Sequence, residues 1–311
     1  MHSTLPSNGA NLQFLHRVVA PPSTNTVVCA VGDPTQAIYA FRGASPDALD
    51  QFGTLFHAQT LYLTYCFRCP RRVVFLASQL HANIRHQHDA PLGSVELVVS
   101  SNPWQSLVNR VDGTTDTLFL ARNNQTLLAV LSHLYHSADS VAEVHWLSPG
   151  IARELRSLVM QSGSDATVGD LLAAATAAVE QHNVTAVDRV IRKVLDMAVR
   201  FEGHDGDPSG SPWLQWLLAV LDHGGRRGLT VATIHAVKGE EWPHVVIYDF
   251  NLFGHEHNDQ SPNQDRNLLY IAITRAQQTL TFLQSKRTNH IPSPLLPADI
   301  VHYARDMWCH S

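Results

Sequence analysis

Four stretches of this 311-residue chain place amide, aromatic and charged side chains just beyond apolar runs. The first is Val31-Gly32-Asp33-Pro34-Thr35-Gln36-Ala37-Ile38-Tyr39-Ala40-Phe41-Arg42-Gly43-Ala44. Its Gln36 amide can orient a water or hydrogen-bond a phosphate, while Tyr39 and Phe41 alternate with Arg42, which suits aromatic faces and a cation lining a single nucleic-acid strand. The second, Leu63-Thr64-Tyr65-Cys66-Phe67-Arg68-Cys69-Pro70, brings Arg68 to a predicted helix start, where exposed backbone amides also attract phosphate. In the third, Thr233-Ile234-His235-Ala236-Val237-Lys238-Gly239-Glu240-Glu241-Trp242, His235 and Lys238 leave a strand together as donors for a nucleic-acid backbone, and Glu241 can accept from a ribose hydroxyl. The fourth, Gln264 to Ala276, is an amphipathic pattern ending in Arg275, an arginine placed to stabilise a transferring phosphoryl group.

Each stretch has a plainer reading when taken alone. Aromatics after a strand fill cores, an arginine at a helix start can snorkel, and a His-Lys-Glu turn can simply face water. What gives them a common purpose is the architecture expected to hold them. Val27-Val28-Cys29-Ala30-Val31, Leu61-Tyr62-Leu63, Val95 to Val99, Thr117 to Leu120, Leu229 to Ile234, Val245 to Tyr248 and Leu280 to Leu283 read as buried parallel strands. Pro70 to Ile84, Gln125 to Tyr135 and Asp265 to Gln277 carry helical spacing and serve as crossovers, which makes the fold class α/β. Strand ends of such sheets are where ligands bind. From about Pro149 to Leu221 the pattern turns almost wholly helical, broken by the turn residues Asp205 to Pro212, and reads as an insertion into the α/β domain.

Composition narrows the function classes. A net charge of −5 gives no global attraction for nucleic acid, so any such site must be a local groove. No run approaches the roughly 18 apolar residues of a spanning helix, and the N-terminus lacks a signal-peptide pattern, so a nuclear or cytoplasmic protein is expected. Cys29, Cys66, Cys69 and Cys309 are too scattered for a disulfide framework, consistent with a reducing compartment. Cys66 and Cys69 form a C-x-x-C without a second pair or histidines at ligand spacing, and His255-Glu256-His257 sits in a loop-like stretch; no metal is expected at either.

In order and spacing the four stretches resemble motifs III, IV, V and VI of the UvrD/Rep/PcrA superfamily 1 DNA helicases, over about residues 8–135 and 228–290. The detail of Leu63 to Arg68, Glu241-Trp242 and Asn267-Leu268-Leu269-Tyr270 leans toward the F-box DNA helicase branch. The resemblance implies a RecA-like P-loop NTPase-type parallel sheet interrupted by a helical insertion. The implied domains are a remnant of the first RecA-like domain at 1–58, the second RecA-like domain at 59–138 and 228–290, a 2B-like insertion at 139–227 and a tail at 291–311. It also implies ATP and Mg²⁺ as cofactors, single-stranded DNA as partner, and 3′ to 5′ movement. By matching position, Gln36 would contact the γ-phosphate region, Phe67 would pack near the adenine, Arg68 would meet the γ-phosphate, Glu241 would hold the ribose and Arg275 would be the arginine finger. Catalytic work thus falls to Gln36, Arg68 and Arg275. Tyr39, Phe41, Arg42, His235 and Lys238 would grip DNA. Arg122-Asn123-Asn124 resembles a further short motif without an assigned role.

Departures from the family pattern set limits. A complete motor needs Gly-x-x-x-x-Gly-Lys-Ser/Thr, whose amides and lysine hold the phosphates and whose hydroxyl holds Mg²⁺. The only lysines here are Lys193, Lys238 and Lys286, followed by Val194, Gly239 and Arg287, so the loop is missing from these residues. Thr4 and Leu5 stand where the magnesium-binding Asp and catalytic Glu belong. The expectation is the C-terminal portion of an ATP-dependent helicase, inactive alone, and either a truncated gene model or a fragment whose first RecA-like domain is encoded separately. The alternative is a non-enzymatic DNA-binding or regulatory module descended from one.

Overall fold

The computed structural model describes residues 9–19, 27–38, 47–111, 115–137, 143–161, 166–180, 185–222, 227–249 and 262–286. Two compact units are formed, one from residues 1–94, 251–274 and 291–311, the other from 95–250 and 275–290.

The first unit contains α1 (Gly9–Val19), α2 (Ala48–Phe56), β1 (Tyr65–Cys66), α3 (Arg71–Leu80), β2 (Arg85–His86) and α10 (Pro262–Ile273). The helices α1 and α2 pack together through aromatic rings, with Phe52 stacked on Phe56 at 4.6 Å and His16 edge-on to Phe56 at 5.2 Å. In α3 the apolar positions Val73, Val74, Leu76, Ala77 and Leu80 recur at helical spacing and are buried. His81 ends the helix, and its ring meets Tyr270 of α10 edge-on at 4.9 Å. The two short strands pair in parallel, Tyr65 opposite Arg85.

Two expected strands of this unit do not form. Val27 to Val31 and Leu61 to Leu63 have no sheet pairing among the described residues, and they expose Val27 at 93%, Val31 at 84%, Leu61 at 78% and Leu63 at 91%. The apolar pattern that suits a buried strand is present, but a strand exists only where a neighbour takes up its backbone hydrogen bonds.

The second unit is built on β3 (Ser94–Ser100), β4 (Thr117–Ala121), β5 (Val144–Leu147), β6 (Leu229–Thr233), β7 (Trp242–Tyr248) and β8 (Ala276–Ser285), joined by helices α4 (Pro103–Val108) and α5 (Asn124–His136) and by a helical stretch. Sheet order is β3-β8-β7-β4-β6-β5, and the pairings β5/β6, β6/β4, β4/β7 and β7/β8 are parallel. The expected α/β class with a parallel sheet flanked by helices is therefore the observed one. β4 is buried at every residue and β6 at four of its five, as continuous apolar runs in a doubly covered sheet should be. Helix α10 ends at Ile273, four residues before the expected stop at Gln277, and β8 begins at Ala276 because the ladder to β7 captures Ala276 opposite Trp242. The strand β5 was not expected. It is short, and His145 interrupts its apolar pattern.

Helices α6 (Pro149–Gln161), α7 (Val168–Glu180), α8 (Ala186–Glu202) and α9 (Pro212–Asp222) account for the helical stretch. Thr185 and Asp188 form a reciprocal capping box at the start of α8. Trp213 is fully buried, donating its indole N–H to the Val194 carbonyl at 3.3 Å and its backbone N–H to Glu202 Oε1 at 2.7 Å. These helices share one apolar core with the sheet, from Phe119 and Val231 through Trp146 to Leu195 and Leu217.

Gly228 fixes where β5 and β6 meet. It sits at φ +82°, and a Cβ there would run into the Glu143 carbonyl oxygen that accepts from Leu229 N–H. Gly228→Ala combines a left-handed backbone with a clash against main chain. It should lower unfolding stability by about 2–4 kcal/mol, read as a shift in denaturant midpoint at unchanged slope.

Candidate functional site

Motif III lies on a short 3-10 turn, Pro34–Gln36, initiated by Asp33. Asp33 Oδ1 accepts from Thr35 N at 2.9 Å and Oδ2 accepts from Gln36 Nε2 at 2.7 Å, so the Gln36 amide is held by its own loop. The loop is braced from α10: Asn267 Nδ2 donates to the Ala37 carbonyl at 3.2 Å, and Gln264 Nε2 to the Ile38 carbonyl at 3.4 Å. Tyr270, one turn further, is buried, and loss of solvent with the nearby Asp33 charge pushes its hydroxyl up to about 12, keeping it a neutral donor. Gln264 and Asn267, which carry no role in the motif pattern, thus hold the motif III loop in place. Their spacing of three residues puts them on one side of α10 and is the signal that pairs them. Tyr39, Phe41 and Arg42 lie outside the described residues, as do Thr4, Leu5 and His255 to His257.

Motif IV follows β1. Phe67 stands 77% exposed, an aromatic face open to a ligand. Arg68 is half-buried, and its Nη1 donates to the Thr274 carbonyl at 3.4 Å. Within this unit, then, Gln36, Phe67 and Arg68 sit on elements that all pack against α10 or reach its C-terminal turn.

Motif V occupies the turn after β6 in the second unit. The turn Ile234–Val237 holds His235 half-buried, Lys238 follows in extended backbone with its side chain exposed, and Gly239 turns the chain at φ +92°. Glu241 immediately precedes β7, so it lies at the amino end of that strand rather than beside the strand end that launches His235. Arg275 comes to the same edge: Trp242 N–H donates to the Arg275 carbonyl at 3.0 Å, and Arg275 Nη1 donates to the Glu240 carbonyl at 2.7 Å. Arg275 is only 1% exposed. Asn123, from the motif without a role, caps α5 by accepting from Thr126 N at 3.0 Å.

A perturbed pair, with no signal in the motif pattern, stands where β7 ends at Tyr248 and Asp249 follows. Asp249 adopts φ 49°, and burial pushes its carboxyl up to about 6 and the neighbouring Tyr248 hydroxyl far upward. Among the described residues no three His, Cys, Asp or Glu side chains gather as a metal site, and no helix is long and apolar enough to cross a membrane.

The second unit carries the parallel α/β sheet with His235, Lys238 and Arg275 on its loops, the first unit carries Gln36, Phe67 and Arg68, and comparison with known proteins matches both. The UvrD/REP helicase N-terminal domain model matches residues 7–57, and the UvrD-like helicase C-terminal domain model matches residues 228–283. ATP-dependent DNA helicase UvrD2 of Mycobacterium tuberculosis (strain ATCC 25618 / H37Rv) is 25% identical over 292 residues, covering 79% of this chain and 42% of that protein. ATP-dependent DNA helicase PcrA of Bacillus subtilis (strain 168) is 32% identical over 131 residues, 35% of this chain and 18% of that protein. ATP-dependent DNA helicase srs2 of Schizosaccharomyces pombe is 26% identical over 186 residues, 57% of this chain and 20% of that protein. A solved C-terminal domain of a possible DNA helicase from Lactobacillus plantarun WCFS1 superposes at TM-score 0.35 and 12% identity, over 75% of this chain and 96% of that one, too loosely to bear on the fold. Over these residues the chain is similar to the UvrD/PcrA-type superfamily 1 helicases. It spans 42% of the length of the UvrD2 relatives it matches.

Proposed function

We propose that this chain is the C-terminal motor portion of an ATP-dependent DNA helicase that tracks 3′ to 5′ on single-stranded DNA and works with a first RecA-like domain supplied from outside these residues. The observation that carries the proposal is the exposed apolar run Val27 to Val31, which leads into the motif III loop and lies inside the match to the helicase N-terminal domain. Such a run is stable as a strand only within a sheet, and the sheet it fits is the one that carries the phosphate-binding loop in a complete motor. Gln36, Arg68 and Arg275 suit polyphosphate oxygens, Phe67 an adenine face and Glu241 a ribose hydroxyl. Magnesium does not fit: Thr4 and Leu5 occupy the places of the acidic pair, so its ligands belong to the supplied domain. ATP, once bound, provides the phosphoryl transfer that drives movement; these residues orient it and stabilise charge. His235 and Lys238 are the proposed DNA-backbone donors of the second unit, with Tyr39, Phe41 and Arg42 completing the track. Residues 139–227 are proposed as the 2B-like insertion, the F-box DNA helicase branch as the nearest lineage, and the nucleus or cytoplasm as location.

Single-stranded DNA titrations at several salt concentrations test this reading. Lys238→Ala should weaken binding across sequences and reduce the salt slope by about one. A non-hydrolysable ATP analogue should leave the affinity of the chain alone unchanged. Added polypeptide carrying the phosphate loop should make affinity nucleotide-dependent, and Arg68→Ala should abolish that dependence. Binding that stays indifferent to nucleotide after complementation would instead establish a non-enzymatic DNA-binding module.

A further inference from the structure

The bend that carries motif IV also carries a pair of thiols. Cys66 closes β1, Phe67, Arg68 and Cys69 form the bend, and Pro70 precedes the first turn of α3. Cys69 N–H donates to Cys66 Sγ at 3.4 Å, which folds the bend back on itself, and the Cys69 thiol is within hydrogen-bond reach of Cys66 Sγ. Cys66 is half-buried and accessible, whereas Cys69 is 1% exposed and its Sγ also donates to the Thr274 carbonyl at 3.4 Å. Arg68 Nη1 donates to that same carbonyl. The plainer account makes Cys66 a structural acceptor for the bend. It leaves unexplained why a second sulfur, rather than any small apolar side chain, stands within reach of the first and is shielded from solvent.

We propose that Cys66 and Cys69 form a thiol–disulfide exchange site, with Cys66 attacking a low-molecular-weight disulfide and Cys69 resolving the product into an intramolecular disulfide around Arg68. The Cys66 thiolate displaces one thiolate from the incoming disulfide and becomes a mixed disulfide. Cys69 then releases its proton to solvent, its sulfur attacks Cys66 Sγ, and the second small thiol leaves. Two protein thiols are oxidised and one small disulfide is reduced to two thiols, so the exchange balances. In a reducing compartment such a pair is open at rest and closes under oxidation, the usual setting of an intracellular redox-responsive disulfide. Closure removes the S–H that Cys69 offers to Thr274 and ties Phe67 and Arg68 into a four-residue ring. The exchange chemistry stands apart from the helicase reading; only its consequence for nucleotide contact through Arg68 rests on it.

Hydrogen bonds from Cys69 lower the Cys66 thiol to about 6 against the opposing effect of burial. At pH 7 that raises the thiolate fraction about 30-fold over an ordinary thiol, while intrinsic nucleophilicity falls about tenfold, a net gain of about threefold. The pH profile is therefore more telling than the absolute rate. Iodoacetamide labelling of the native chain, followed by peptide mass spectrometry, should give a Cys66 rate that inflects near pH 6, against about 8.5 after unfolding. Incubation with oxidised glutathione should yield a Cys66–Cys69 disulfide, and Cys69→Ser should trap glutathione on Cys66. Circular dichroism of each variant confirms that it is folded. A native Cys66 profile inflecting above about pH 8, or glutathione retained on Cys66 of the unmodified sequence without ring closure, would overturn the proposal.

Discussion

Purified alone and saturated with single-stranded DNA and magnesium, the chain should hydrolyse ATP no faster than a buffer control, and Arg275→Ala should change nothing in that assay. Phosphoryl transfer leans on the phosphate-cradling amides, the loop lysine and the metal, and a single arginine finger is worth about 10³–10⁵ in rate only once those are in place. Gln36 and Arg68 are tied to groups of their own unit, Gln36 Nε2 to Asp33 at 2.7 Å and Arg68 Nη1 to Thr274 at 3.4 Å, and neither replaces a metal or a general base. The complementary result is an increase of at least about a thousandfold when a polypeptide bearing the phosphate loop and the acidic pair is added, because Arg275, as the proposed arginine finger, would then have a transition state to stabilise. Phosphate release followed by a coupled assay checks both halves. DNA-stimulated turnover by the chain alone that disappears in Arg275→Ala would contradict the incomplete-motor reading outright.

Arg275→Ala should also unfold the second unit more easily, by about 3 kcal/mol. The side chain is 1% exposed, and its Nη1 donates to the Glu240 carbonyl at 2.7 Å. Truncation removes a large buried side chain and leaves that carbonyl without its donor, and the two penalties add. Arg275→Lys keeps the charge and one donor on a shorter, differently shaped stem, so it should recover only part of the loss. Denaturant unfolding followed by tryptophan fluorescence, with Trp146, Trp213 and Trp242 all buried in this unit, reads the difference. An unchanged midpoint in Arg275→Ala would show that the buried placement does not hold in solution. The same geometry bears on activity data: loss of turnover in Arg275→Ala mixes lost charge stabilisation with lost folding, so turnover must be compared without denaturant, at a temperature where both forms are shown to be folded.

Much of the fold is legible because parallel strands covered on two faces must be apolar throughout. Thr117 to Leu120, Leu229 to Ile234, Val245 to Tyr248 and Leu280 to Leu283 announce themselves in this way, and all fall inside observed strands save Ile234, which opens the turn after β6. The same rule over-reaches at Val27 to Val31 and Leu61 to Leu63, since apolar character records what a segment is suited to and not whether a partner is at hand. It under-reaches at β5, where His145 sits among Val144, Trp146 and Leu147 and donates through Nε2 to the Arg227 carbonyl, 2.8 Å away. The site was legible as residue types and spacing. What spacing could not give is the bracing: Asn267 and Gln264 on the motif III loop, and Glu240 rather than Glu241 as the partner of Arg275, follow only from helix phase and strand register.

The unpaired run at Val27 to Val31 has a further cost. A β-prone, uncharged, proline-free segment with its valines in water is a template for stacking with copies of itself, and nothing in Val27-Val28-Cys29-Ala30-Val31 acts as a gatekeeper against such cross-β growth. Under the proposed function, a first RecA-like domain that covered this run would also shield it from such growth.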